Sequence, residues 1–288
     1  MFNYTLYRIG QFLALSLPLG IAYKVGIFIS DLHYLFARKD RRSITENLKA
    51  IFPGKTDKEI RNIRVRVFRN FAKYLVDFFR FSKIDEEYIT KNIKIEHLNY
   101  LDDALSRGKG VIVLTAHVGN WELGGVVVSL LGYPFWAVAL THKDKKVDKF
   151  FNFQRQSKGV KVIPLKNAVK MSLDALKKGE LVALVGDRDF TEKGTMVEFF
   201  GKPALLPVGP AALSLKTGAS IVPGFMLRND DDTFTLKFSK PFDFQPSGNK
   251  NEDLQAIMGQ YKAIFEDCIR EHPDQWYMFR RFWLEQKK

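Results

Sequence analysis

Five short apolar runs, 111–114, 135–140, 160–165, 181–186 and 221–227, recur along the chain with helix-like segments at 144–157, 168–178 and 210–216 between them. Such alternation constrains the fold strongly. A run like Val111-Ile112-Val113-Leu114, continuous and β-branched after Gly108 and Gly110, reads as a strand buried on both faces. Consecutive parallel strands need long crossovers, and helices supply them. The expected architecture is therefore α/β: a mixed, largely parallel central sheet covered by helices on both sides. Residues 233–239 alternate more openly after the turn at 229–232, which predicts an antiparallel edge strand, and 253–271 reads as a closing amphipathic helix.

No internal repeat or low-complexity linker divides the 288 residues. One α/β domain over 38–288 is expected, preceded by an apolar helical segment over 1–37. The lone Cys268 excludes an internal disulfide and suits a reducing compartment.

The formal charge of +13 implies acidic partners. Between Arg38 and Arg80 stand thirteen Lys/Arg against five Asp/Glu, directly after the apolar N-terminus. That arrangement points to an anionic membrane surface on the cytoplasmic side. Ile9 to Tyr23 is uncharged but only fifteen residues long and broken by Pro18, short of the ~20 needed to cross a bilayer. An interfacial or shallowly inserted anchor is the expectation, ahead of a transmembrane helix. Ile60, Ile63, Val67, Phe71, Tyr74, Leu75 and Phe78 form a helical apolar stripe with arginines around its other faces. Its aromatics fall on the apolar side, so a nucleic-acid role is not expected.

Chemistry concentrates after the first apolar run, in Leu114-Thr115-Ala116-His117-Val118-Gly119-Asn120-Trp121-Glu122. His117 falls past a strand's C-terminal end, where ligand sites of open α/β sheets collect. Asn120 is the expected N-cap of the next helix, with Glu122 in its first turn. Residues five apart on a continuous helix do not face one another, so His117 and Glu122 can meet only if Gly119 bends the chain. A carboxylate that holds one imidazole nitrogen protonated leaves the other to take a proton from a hydroxyl. A histidine hydrogen-bonded for structure and a glutamate favoured by the helix dipole are the plainer alternatives.

Other chemistries lack their motifs: Gly-x-Ser-x-Gly, Gly-x4-Gly-Lys-Ser/Thr, His-Glu-x-x-His and paired cysteines do not occur. No metal or bound cofactor is expected.

Ala116-His117-Val118-Gly119-Asn120-Trp121-Glu122 resembles the His-x4-Asp/Glu signature of glycerolipid and lipid A acyltransferases, in the glutamate form of bacterial late lipid A acyltransferases. Further segments agree in order: Asn47-Leu48 with Phe52-Pro53, Asn152 to Arg155, Asp187-Arg188-Asp189, Val197 to Gly201, Pro207 to Ala211, Thr217-Gly218-Ala219 with Val222-Pro223, and His272-Pro273 with Gln275-Trp276. Asp187-Arg188 departs from the Asp-Gln usual in that family. The resemblance implies an O-acyltransferase at the cytoplasmic face of a bacterial inner membrane. It would carry an acyl chain from an acyl carrier protein thioester, or acyl-CoA, to a hydroxyl of a lipid A precursor. His117 and Glu122 would form the catalytic dyad, with Asn120, Arg155, Asp187 and Arg188 binding substrate. Backbone N–H groups near Gly119 are the expected oxyanion donors, and Phe199-Phe200 with 207–211 candidate walls for the alkyl chain. A mannosylated phosphoinositide is the alternative acceptor; a non-catalytic membrane scaffold is the alternative of a different class.

Overall fold

The computed structural model describes residues 2–189, 194–242, 244 and 246–284. Its centre is a seven-stranded sheet in the order β1-β9-β8-β2-β5-β3-β4. The strands are β1 (Ile93–Glu96), β2 (Val111–Thr115), β3 (Phe135–Ala139), β4 (Lys161–Pro164), β5 (Leu181–Val185), β8 (Ser220–Arg228) and β9 (Phe234–Phe238). From β8 to β4 every pairing is parallel. β9 runs antiparallel to β8, and β1 lies parallel to β9 outside it. The predicted edge strand is thus antiparallel but not at the edge, because the short Ile93–Glu96 segment pairs with its free side. Strands β6 (Thr195–Phe199) and β7 (Lys202–Leu206) form a separate hairpin.

Eleven helices, among the described residues, cover the sheet: α1 (Phe2–Ser16), α2 (Leu19–Phe36), α3 (Arg38–Ile51), α4 (Asp57–Phe79), α5 (Glu86–Asn92), α6 (Asn99–Leu105), α7 (Trp121–Leu130), α8 (Lys145–Gln156), α9 (Ala168–Lys177), α10 (Gly209–Thr217) and α11 (Lys250–Glu271). Alternate residues of β2 serve opposite faces, as the pleat requires. Val111 and Val113 join a core with α1, α4, α6, α7 and α8, while Ile112 and Leu114 join one with α9, α10 and α11. Burial on both sides is why the run lacks polar residues.

Helix α4 opens with a capping box at Thr56 and Glu59 and buries Ile60, Ile63, Val67, Tyr74 and Phe78 of the expected stripe. The N-terminal segment is two helices rather than one, divided at Pro18, which has no N–H to continue the first. One face of α2 packs on α4 through Ala22, Tyr23 and Ser30. Its opposite face exposes Ile21, Phe28, Ile29, Leu32, Leu35 and Phe36, with Phe36 77% exposed. By length and composition α2 is long and apolar enough to cross a membrane, although Lys24 and Asp31 interrupt it.

Candidate active site

Strand register brings the site together. β2 and β5 pair in parallel with Thr115 opposite Val185, so His117 and Asp187 leave neighbouring strands at equivalent positions. The His117 Nδ1 lies 2.7 Å from Asp187 Oδ1. The Asp187 side chain is fully buried, accepts the indole N–H of Trp276 at 2.9 Å, and also accepts the backbone N–H of His117. Burial alone would raise its carboxyl; the His117 charge and these donors outweigh it and hold Asp187 below its ordinary value. Trp121 meets the imidazole edge-on, with ring centroids 5.0 Å apart.

Glu122 is not the carboxylate on the imidazole. Both its oxygens are bonded to Arg155, at 2.8 Å to Nε and 2.5 Å to Nη2. The turn between them accounts for the difference. Gly119 adopts φ +64°, and its N–H donates to the Gln275 carbonyl. Asn120 then caps α7, its Oδ1 accepting the Leu123 N–H at 3.1 Å. His117 is left at the strand end facing β5, while Glu122 starts a helix facing Arg155 on α8. Arg155 itself is 7% exposed and also donates to Asn152. Within the protein it has an internal role, its Nε and both terminal nitrogens each donating to a protein oxygen. Burial alone would lower the Arg155 guanidinium; Glu122 raises it. The expectation is that Glu122→Gln, which keeps the shape but removes the charge, costs about 1.5–3 kcal/mol of stability. Chemical denaturation of parent and variant checks this.

Asn120, expected to bind substrate, is 2% exposed, and its amide is occupied by Leu123 and by Asp77. The expected oxyanion donors near Gly119 are also committed: the Asn120 N–H donates to Met226 O at 2.7 Å. Arg188 is partly buried, and burial followed by the positive charge of Arg280 lowers its guanidinium.

Phe199 is buried on the α10–α11 side, its ring against Phe200, Phe282 and Trp283. A small apolar cleft of about 30 Å³ lies on the opposite face, lined by Thr115, Trp121, Gly125, Phe135, Gly224 and Phe238 among others. Trp121 joins it to His117. Asp77, Trp121 and Trp276 gave no site signal of their own; both tryptophans stood in quoted motifs, but their partners depend on tertiary contact.

The chain matches the bacterial lipid A biosynthesis acyltransferase family over residues 1–285. Among curated relatives, a phosphatidylinositol mannoside acyltransferase of Mycolicibacterium smegmatis is 25% identical, with 96% of this chain and 90% of that protein aligned. A lipid A biosynthesis acyltransferase of Haemophilus influenzae is 24% identical over 88% of this chain and 77% of its own. A lipid A biosynthesis lauroyltransferase of Escherichia coli is 23% identical over 94% and 88%. With a match running nearly end to end, the chain belongs to the bacterial lipid A biosynthesis acyltransferase family and is an acyltransferase.

Proposed function

We propose that the protein transfers a fatty acyl group from an acyl carrier protein thioester to a hydroxyl of a lipid A precursor, with His117 as general base. The observation that carries this reading is the His117–Asp187 hydrogen bond at the C-terminal end of the parallel strands, beside an apolar cleft. With Nδ1 on Asp187, Nε2 takes the proton of the acceptor hydroxyl, and the oxygen attacks the thioester carbonyl. The tetrahedral oxyanion then collapses, the carbon–sulfur bond breaks, and the imidazolium returns the proton to the departing thiolate. No bound metal or cofactor enters these steps. Ionised Asp187 favours the imidazolium that forms between them. An alkyl chain entering the cleft, whose volume of about 30 Å³ holds roughly one water molecule, must displace lining side chains, against ~0.8 kcal/mol gained per buried CH₂. Arg188, next to Asp187 in the chain, is the proposed contact for an anionic group.

Anchoring follows from α2. Its apolar outer face, on a helix that meets the cations Arg64 and Arg69 of α4 through Tyr34 and Asp31, suits an anionic lipid surface on the cytoplasmic side of the inner membrane. The face packed on α4 favours lying in the interface over spanning it.

A mannosylated phosphoinositide is the second reading of the acceptor, favoured by the mannoside acyltransferases among the relatives. The test supplies labelled acyl carrier protein or acyl-CoA with each acceptor. Product on the lipid A precursor with the carrier donor is expected; product only on the mannoside, or only with CoA, overturns that half of the assignment.

A further inference from the structure

Outside the site just described, the most heavily bonded polar cluster surrounds Asp77, a carboxylate 3% exposed on α4. Its Oδ1 accepts the Tyr23 hydroxyl of α2 at 2.5 Å, and its Oδ2 accepts the Asn120 amide at 3.0 Å. Arg228, at the end of β8, donates a second bond to Oδ2 and one to the Tyr23 oxygen at 3.1 Å. Arg228 reaches further to Asp232, which also pairs with Lys73. Two cations and two carboxylates thus meet around one tyrosine, and one arm of the cluster ends on the turn that carries His117.

That arm has a specific consequence. Asn120 has an amide with two ends, one accepting and one donating. Its oxygen must face the Leu123 N–H to cap α7, and the amide then directs Nδ2 into the protein interior. An acceptor is needed there, and Asp77 supplies it. With Asp77 ionised, only one amide orientation satisfies both ends; the flipped one sets oxygen against oxygen at Asp77 and N–H against N–H at Leu123. The backbone of Asn120 is bonded to Met226 and that of Gly119 to Gln275, so the amide is the part of the turn still able to choose.

We infer that Asp77 is a positioning residue for acyl transfer, fixing the amide of Asn120 and through it the turn between His117 and Glu122. It touches no reacting atom. Because Tyr23 and Arg228 share the same carboxylate, the turn is tied to α2 and to the end of β8. The inference rests on His117 being the base, but its test is separate: His117→Ala probes the base, whereas the coupling of Asp77 to Asn120 is read on enzymes that keep His117.

The experiment is a double-mutant cycle on the full-length enzyme, using Asp77→Asn, Asn120→Ser and the pair. Serine keeps the capping oxygen but cannot reach Asp77. Turnover and both apparent substrate affinities are measured on protein shown by circular dichroism to be folded. Each single change is expected to lower kcat about 10-fold with KM held within about two-fold, and the double variant to lose no more than either single one. A merely structural carboxylate would lower the melting temperature and leave kcat per folded molecule at the parental value, and that result overturns the inference. Losses that multiply in the double variant overturn it equally. Should Asp77→Asn fail to fold, Asn120→Ser alone decides: parental kcat refutes the positioning role, and a 10-fold loss with an unchanged KM supports it.

Discussion

Replacing His117 with alanine is expected to lower kcat by ~10²–10⁴-fold while the protein stays folded, since a positioned base contributes about that much. The side chain is 15% exposed, and its loss leaves Asp187 the backbone N–H of residue 117 and the Trp276 indole as donors. Circular dichroism should therefore change little. Activity within a few-fold of the parent would remove His117 from the reaction. The same assay separates the two carboxylates. Asp187→Asn places an amide against Nδ1 and loses the charge that favours imidazolium, so its defect should appear in kcat and approach that of His117→Ala. Glu122→Gln loosens the pair with Arg155 and should act mainly on stability. If Glu122→Gln abolished turnover in well-folded protein while Asp187→Asn spared it, the carboxylate that orients the ring would be Glu122.

Why the sequence reading paired His117 with Glu122, where the fold sets Asp187 against the imidazole, is a matter of range. The strands were legible because burial on both faces writes itself as an unbroken apolar run, in Val111–Thr115 and again in Leu181–Val185. The cap was legible because Asn120, Trp121 and Glu122 act on their neighbours, and so was the glycine turn. Both His117 and Asp187 could be placed at strand ends. That the two ends adjoin depends on β2 lying beside β5, and strand order is set by packing of the whole sheet, not by any local pattern. The bend at Gly119 allowed His117 and Glu122 to meet and the resemblance paired them, but neither took in Arg155, thirty-three residues beyond Glu122 on another helix. Strand β1 was missed for a related reason: Ile93-Lys94-Ile95-Glu96 is only four residues long and pairs with β9, more than a hundred residues away. The hairpin β6–β7 has Gly201 at its turn and Pro203 near the start of β7, and its register comes from pairing of one strand with the other. Asp77 gave no signal at all, since one aspartate among the arginines of α4 looks like a solvated charge until the chain folds over it.

The turn that separates His117 from Glu122 yields the second large effect. Gly119→Ala should destabilise the protein by on the order of 3–8 kcal/mol. Three contributions add. An L-residue held in the left-handed region costs about 1–2 kcal/mol. A Cβ at residue 119 would sit 2.0 Å from the Met226 carbonyl oxygen, so one backbone must move, at roughly 1–3 kcal/mol for overpacking. Neither can move freely, because that same oxygen accepts the Asn120 N–H at 2.7 Å; opening the bond leaves a buried donor unpaired, for another ~1–3 kcal/mol. For a chain of 288 residues the total corresponds to a fall in melting temperature of roughly 5–13 °C. Gly132 is the control. It has φ +91°, but a Cβ there meets nothing within 4 Å, so Gly132→Ala carries the conformational cost without the collision. Thermal unfolding of the two variants side by side isolates the contact with Met226. Equal shifts would mean that the carbonyl yields at no cost and that the turn is not pinned against β8. If Gly119→Ala folds at low temperature, its kcat should still lie well below the parent's. The chain can clear the clash only by moving Val118 or Asn120, the residues that aim His117 toward Asp187 and start the helix bearing Glu122.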